Sequence, residues 1–529
     1  MAIHATELVI LVLTLAVAAL SIAARVIGIP YPIMLVLGGL VMGFIPGLPD
    51  IELAPDLVLV LFLPPLLYFA AFFASPRELR ADMRAISLLA IGLVLATMSA
   101  VAALAHALVD EMTWAAAFAL GAIVSPTDPL AATAIARRLG VSRRLVTLLE
   151  GEALVNDATA LVAYRIAVGV VAGGSFVAWE AALQFVTNAA GGIAIGLAVG
   201  WLIAEVRRRL EDPTIEIVVT LVTGYAAFLP AELVGVSGVL AAVTSGLYVG
   251  RRAPELASPA TRLLGFSFWQ VFTYLLNALL FMLVGLQLHP ILTGVTQRSI
   301  ASLIGLGAAV SAVVIAARLA WGFTVPYIIR MIDRRPAQVA RRAGPRERLV
   351  TAWSGMRGAV SLAAALALPF ETDSGSPFPE RNLIIFLTFS VIFATLVLQG
   401  LTLPTLIRRL GVRGDDVEER EELQARLAAT DAALARLEEL ATEEWTRDDT
   451  IDRLRGLYEY RHRRLSARAE EADDDGYEER SLAYQRVLRE LLEAQRGAII
   501  RLRNEGSISN DVMHRVERDL DLEDSRLEI

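Results

Sequence analysis

Ser125-Pro126-Thr127-Asp128-Pro129 interrupts, about halfway along, an apolar run that extends from residue 112 to 137. Pro126 and Pro129 each remove a backbone donor and push the preceding residue out of helical geometry, so a helix here is broken near its middle. Inside a bilayer, backbone groups freed in this way are tolerated only beside a cavity or other protein. Free carbonyls and the Thr127 hydroxyl offer hard oxygen ligands to a cation, and Asp128 can offset the positive N-terminal end of the second half-helix. An ordinary kinked helix, or a loop joining two shorter segments, is the competing reading.

The surroundings of this stretch are those of a membrane protein. The chain has 529 residues, 55% of them hydrophobic, and a mean hydropathy of +0.56. Between Glu7 and Arg409 the charges fall in short islands, separated by apolar stretches of roughly 20 residues, the length a helix needs to cross hydrocarbon. Spans are expected near 7–27, 31–48, 53–74, 84–109, 112–137, 143–172, 176–206, 213–232, 235–250, 262–288, 299–330, 347–370 and 382–408, about thirteen in all. With the N-terminus outside, the inside loops hold Arg25, Arg77, Arg80 and Arg84, then Arg137 to Arg144, Arg207 to Arg209, Arg251 to Arg262, and the segment from Arg330 to Arg348. The outside loops hold Asp50, Glu52, Asp110, Glu111, Glu232, Glu371 and Asp373, with Arg298 and Arg381 as their only basic residues. This asymmetry predicts a multi-pass protein of the inner, plasma membrane with its C-terminal tail in the cytoplasm. It also excludes a single-span receptor and a channel with two helices per subunit. Short helices broken by Gly and Pro in both halves suggest inverted repeats.

There is no cysteine, which removes disulfide and thiolate chemistry, and all 48 basic residues are arginine, which removes any lysine ion pair or Schiff base. The N-terminal apolar run has no basic residue ahead of it and no cleavage pattern before Arg25, and it reads as a retained helix.

Polar groups at membrane depth mark the chemistry, because a charge at the bilayer centre costs about 2.5–3.5 kcal/mol on insertion scales. In the sixth span, Glu152, Asn156 and Thr159 share one helix face, with Asp157 beside it near mid-membrane. Asp157 can bind either a metal cation or a proton, and competition between the two is the simplest coupling rule for exchange; a structural carboxylate is the alternative. Arg318, in the eleventh span, needs a carboxylate partner, for which Glu152 is the candidate. Arg165 snorkels or pairs elsewhere. In the twelfth span, Gly355 and Gly358 flank Arg357, which fits a second broken helix, a gating element or a tightly packed helix with a snorkelling arginine. Pro64-Pro65 marks another unwound or kinked segment.

Taken together, Ser-Pro-Thr-Asp-Pro at 125–129 and Gly-Glu-Ala-Leu-Val-Asn-Asp at 151–157 resemble the cation/proton antiporter family of bacterial NhaP-type and animal sodium/proton exchangers, over roughly residues 7–410. The resemblance implies an all-α homodimer of thirteen-helix subunits, with a dimerisation domain, a core domain of two crossed, broken helices, and elevator-like alternating access. It makes Asp157 the shared cation and proton site, Asn156 its orienting neighbour, Thr127 and Asp128 the crossing-helix residues, and Glu152 with Arg318 a structural ion pair. An Asn-Asp pair without lysine is similar to the electroneutral branch. Two departures remove cation ligands: Ala153 stands where many relatives have Ser, and Phe69 where many have an acidic residue. Backbone carbonyls, Ser125, Thr127 and water would complete the shell around a metal held by Asp157. The implied substrates are H⁺ and a monovalent cation, Na⁺ first and K⁺ or Li⁺ next, with membrane lipid as surroundings and neither cofactor nor nucleic acid involved.

From 411 to 529 the composition turns to dense Glu, Asp and Arg, a separate cytoplasmic module. Val417, Leu423, Leu427, Leu434, Leu437 and Leu440 fall at mostly helical spacing, as do Leu482, Val487, Leu491 and Ile499. These helices are expected to pack on themselves or on a dimer mate, with Glu470 to Gly476 as a polar turn that resembles a metal loop only superficially. Regulation through the tail is a hypothesis resting on its length, and its ligand is unknown. Two other function classes compete with secondary antiport. An intramembrane aspartyl protease would need an aspartate after glycine, which neither Asp128 nor Asp157 provides; a transporter-like sensor would use the tail as its output.

Overall fold

The computed structural model describes residues 2–45, 60–295, 298–332, 342–412, 414, 417–469 and 477–525. The chain forms two compact units, Met1–Gly414 and Asp415–Ile529. Both are helical; among the described residues the only β pairing is a lone bridge between Glu371 and Pro377.

The first unit runs α1 (Ala2–Ile27), α2 (Tyr31–Gly43), α3 (Leu63–Phe73) and α4 (Pro76–Leu108). It continues through α5 (Trp114–Val124), α6 (Leu130–Arg138), α7 (Arg143–Ala172), α8 (Ala178–Arg207), α9 (Pro213–Leu233) and α10 (Gly238–Leu256). Then come α11 (Pro259–Leu286), α12 (Leu288–Thr293), α13 (Ile300–Ile332), α14 (Pro345–Trp353), α15 (Ala359–Leu366) and α16 (Arg381–Leu410). Among the described residues seven helices are long and apolar enough to cross a membrane, while Leu11–Ile27, Tyr31–Gly43, Leu63–Phe73 and Trp114–Val124 are apolar but shorter. A count of thirteen crossings therefore requires the short and broken helices to span as well.

Several elements bear directly on the expected spans. The helix expected from 84 begins at Pro76, because Ser75 caps it by accepting from Glu78 N (3.4 Å) and proline suits the first turn. Pro64 and Pro65 occupy the first turn of α3, and a turn at Phe62 separates it from the helical residues 60 and 61, which is the kink these prolines lead one to expect. The twelfth span follows its broken-helix reading and not the packed-helix one, α14 ending at Trp353 and α15 starting at Ala359. Asp50 and Glu52, the end of the second span and the start of the third, and the turn from Glu470 to Gly476 lie outside the described residues.

The helices pack in two groups. α2 lies along α11, α3 along α10, and α10 along α8, with α1 and α9 completing that group. α4 packs on α5 and α13, α5 on α7, and α13 on α14 and α16, forming the other. Close approach in the first group is set by glycine: a Cβ on Gly39 would lie 2.2 Å from the Met282 carbonyl oxygen, and one on Gly285 2.2 Å from that of Val36. Without a hydrophobic drive between helices in lipid, such contact supplies the dispersion energy that holds them together.

The second unit contains α17 (Val417–Leu440), α18 (Asp448–Ala469), α19 (Tyr477–Asn504) and α20 (Asn510–Ser525). α17 packs on α18 and α19 on α20, around buried Leu437, Ile451, Leu492, Met513 and Leu520. The expected stripe on α19 is displaced: Val487 and Leu491 are exposed, and Leu492 is buried. Helical spacing from Leu488 through Leu492 to Ile499 fits the packed side better than the pattern chosen on the sequence.

Candidate functional site

Two broken helices meet in the second group. The first is α5 and α6, separated by residues 125–129; the second is α14 and α15, separated by 354–358. They are tied backbone to backbone, Asp128 N donating to the Met356 carbonyl (2.8 Å).

The exposed ends of the half-helices are met by side chains of opposite sign. Arg357, only 1% exposed, donates through Nε to the Val124 carbonyl at the C-terminal end of α5 (3.1 Å) and through Nη1 to the Gly355 carbonyl. Arg318 Nη2 donates to the Thr351 carbonyl near the end of α14 (3.3 Å). Asp128 Oδ1 accepts from Leu130 N at the start of α6 (2.9 Å). Cations thus face carbonyl ends and a carboxylate faces an amide end, as the helix dipole favours. The glycines make room: a Cβ on Gly358 would lie 2.2 Å from Asp128 Oδ2, and one on Gly355 2.3 Å from Arg318 Cδ.

α7 runs past this crossing and contributes a chain of hydrogen bonds. Glu152 pairs with Arg318 through both carboxylate oxygens, Nη2 to Oε2 at 2.8 Å and Nη1 to Oε1. Thr127 Oγ1 donates to Glu152 Oε1 (2.9 Å). Asn156 Nδ2 in turn donates to Thr127 Oγ1 (3.0 Å) and to the Thr127 carbonyl (3.3 Å). The amide is thereby fixed, and its Oδ1 is buried without a partner. An orphaned buried acceptor costs about 1–3 kcal/mol, so this oxygen is poised to accept a ligand.

Asp157 is half-buried, and among the described residues its carboxylate makes no hydrogen bond or ion pair. It borders a small cavity with Pro126, Tyr164 and Ser361, whose volume of ≈ 10 Å³ is about the room one water needs. Asp128 is near enough to act on it electrostatically.

The residues singled out in the sequence are not all drawn into this network. Ser125 Oγ donates back to the Ala122 carbonyl (3.0 Å), and Thr159 Oγ1 to that of Val155 (3.2 Å). Arg165 pairs with Glu232 instead of reaching the site. Pro126 and Pro129 sit in the first break, Pro129 as the residue preceding α6. Phe69 stacks on Trp269, ring centroids 5.6 Å apart, away from the crossing. Thr395 was not anticipated: it lies in a π-helical segment, Thr395–Gln399, and its Oγ1 accepts from Arg357 N (3.1 Å). A lone Thr in an apolar run carries no signal of such a role.

The sodium/hydrogen exchanger transmembrane family model matches residues 11–409. An uncharacterized Na⁺/H⁺ exchanger of Mycobacterium tuberculosis is 38% identical over 525 residues, covering 98% of this chain and 96% of the relative. A sodium, potassium, lithium and rubidium/H⁺ antiporter of Bacillus subtilis is 35% identical over 411 residues, 75% of this chain and 61% of the relative. The solved structure of the sodium proton antiporter MjNhaP1 from Methanocaldococcus jannaschii at pH 8 shares the fold, with a TM-score of 0.59 at 21% identity over 77% of this chain and 99% of that one. The helical architecture, the crossing of broken helices and these matches together make the chain a member of the sodium/hydrogen exchanger family, multi-pass secondary transporters and not enzymes.

Proposed function

We propose that this chain exchanges one monovalent cation for one proton at Asp157, with Na⁺ as the first substrate. The observation that carries the reading is the pair of oxygens left without partners at the crossing, the Asp157 carboxylate and Asn156 Oδ1. A cation entering the small cavity would take Asp157, Asn156 Oδ1, carbonyls of the 125–129 break and water as ligands. A proton on Asp157 would remove the charge that holds the cation, so each excludes the other. Thr127 and Asp128 shape the site, and Glu152 with Arg318 anchors it structurally. Because one carboxylate carries both substrates, and no lysine stands by to release a second proton, the exchange is electroneutral.

Alternating access follows from the ties between the broken helices. The Asp128–Met356 backbone bond, Arg357 on Val124 and Arg318 between Glu152 and Thr351 make the crossing a unit that moves as one body against the α2–α3–α8–α11 group, in the manner of an elevator. We further assign the protein to the inner membrane as a homodimer, with the N-terminus outside and the tail inside, where it is available for regulation. K⁺ is the second reading, favoured by the broad cation range named for the Bacillus subtilis relative.

The test uses purified protein in vesicles carrying an imposed pH gradient. Na⁺, K⁺ or Li⁺ added outside dissipates the gradient in the wild type, and the cation giving the highest kcat/KM names the substrate. Asp157→Asn abolishes the response to all three; a wild-type response in that variant refutes the assignment.

A further inference from the structure

A second polar feature borders the Arg318 side of the crossing, where Arg342 and Ala343 lie beside the end of α13 and the start of α14. A cavity of ≈ 210 Å³ opens there, smaller than the ~300–1,000 Å³ of pockets that enclose drug-sized ligands. Its apolar wall includes Leu88, Leu148, Trp321 and Ile329, and its polar wall is almost entirely arginine: Arg84, Arg144, Arg318, Arg330, Arg342 and Arg348, with Asp82 as the one acid. Two of these cations are committed. Arg144 grips both oxygens of Asp82, at 2.7 to 3.2 Å, and Arg318 is paired with Glu152. Among the described residues no acid of the cavity wall pairs with Arg330, Arg342 or Arg348.

Arg348 is the informative one. It is 7% exposed, yet among the described residues no carboxylate pairs with it: Nη2 donates to Tyr327 Oη (3.3 Å), Nε to the Gly344 carbonyl (3.4 Å), and the guanidinium lies 4.7 Å from the Tyr327 ring centroid. Its Nη1 is buried without any hydrogen-bond partner. A buried guanidinium held by neutral groups with one donor idle is strongly disfavoured unless an anion completes it. Arg330, whose Nη2 donates to the Ala343 carbonyl (3.0 Å), and exposed Arg342 flank it on the same wall.

From this we infer a binding site for an anionic phospholipid, its phosphate held by Arg348, Arg342 and Arg330 and the glycerol end of its acyl chains laid against the Trp321 and Ile329 side. Arginine matches phosphate with paired donors. The apolar wall favours a lipid over a free anion, because inorganic phosphate would leave that surface facing water. Basic pockets between membrane helices take phospholipid headgroups by this chemistry.

The experiment reconstitutes the full-length protein in phosphatidylcholine vesicles, in the same vesicles doped with phosphatidylglycerol, and in phosphatidylcholine with inorganic phosphate in the buffer. Thermal unfolding is followed in each, and lipid retained after detergent extraction is counted by native mass spectrometry. Phosphatidylglycerol is expected to raise the unfolding temperature and to stay bound, with apparent affinity about tenfold lower in Arg342→Gln and in Arg348→Gln. Arg342 is exposed, so its variant folds even if the Arg348 change perturbs packing. Arg138→Gln, an equal loss of charge outside the cavity, leaves retention at the wild-type level. Equal retention in wild type and Arg342→Gln, or an equal loss in Arg138→Gln, overturns the site. A shift produced by inorganic phosphate as fully as by the lipid overturns the lipid as occupant.

Discussion

At the scale of single residues, the crossing is organised by a few buried polar groups whose energies are large because water is excluded. Removing one member of the Glu152–Arg318 pair strands the other charge, and such losses run to about 3–5 kcal/mol. Glu152→Gln and Arg318→Met are each expected to lower the unfolding temperature sharply, while Glu152→Gln combined with Arg318→Met recovers much of the loss; a double variant as unstable as the sum of the singles contradicts a dedicated pair. Thr127 transmits between this pair and Asn156, donating to one and accepting from the other. Thr127→Val frees the Asn156 amide and raises KM for the cation about tenfold, the value of one lost hydrogen bond to a buried group, with a lowered unfolding temperature because two buried hydrogen bonds go with the hydroxyl. An unaltered KM would separate Thr127 from the cation. The pairing of Arg318 with an acid was legible in sequence, since a charge in an apolar run demands a partner and acids at that depth are few. The Arg357–Thr395 contact was not legible, because hydroxyl residues are common in membrane helices and spacing does not reveal a donor 38 positions away.

At the scale of elements, the two breaks arise from different causes, and this decides which one the sequence disclosed. The first is written into covalent chemistry by Pro126 and Pro129. The second, from Ser354 to Gly358, contains no proline; its freed backbone is taken up by tertiary partners, Asp128 N on the Met356 carbonyl and Thr395 Oγ1 on Arg357 N, and Gly355 and Gly358 admit Arg318 and Asp128 where a Cβ would clash. Local pattern therefore left a packed helix and a broken one equally open, and only the tertiary neighbours choose between them. Gly358→Ala is expected to destabilise by about 1–3 kcal/mol through overpacking and to reduce exchange while Asp157 is intact. Adding Asp128→Gly removes both the carboxylate and the Cβ, which would lie 2.6 Å from the new methyl, and recovers part of the unfolding temperature but not the exchange. If Gly358→Ala alone is thermally neutral, the two breaks are not in contact as described.

At the scale of the whole molecule, the outstanding question is how the short and half-length helices add to a topology, and the absence of native cysteine makes it accessible. Every thiol introduced is unique, so a membrane-impermeant maleimide applied to intact cells reports one position at a time. The orientation proposed from the arginine distribution predicts the loop before α5 outside and the loop between α6 and α7 inside, in which case α5 and α6, though interrupted, together make one crossing. Glu111→Cys, in the former loop, is therefore labelled in intact cells, and Ser142→Cys only after the membrane is opened. The same logic spans the second break. Ala260→Cys lies in the first turn of α11 and Ser374→Cys follows α15, both exposed, and with three crossings between them the arginine pattern predicts opposite faces, 374 outside and 260 inside. Were α14 and α15 to enter and leave on one side as a re-entrant hairpin, 260 and 374 would share a face, the tail would change compartments, and the two broken helices could no longer carry one cation site past opposite ends of the fold.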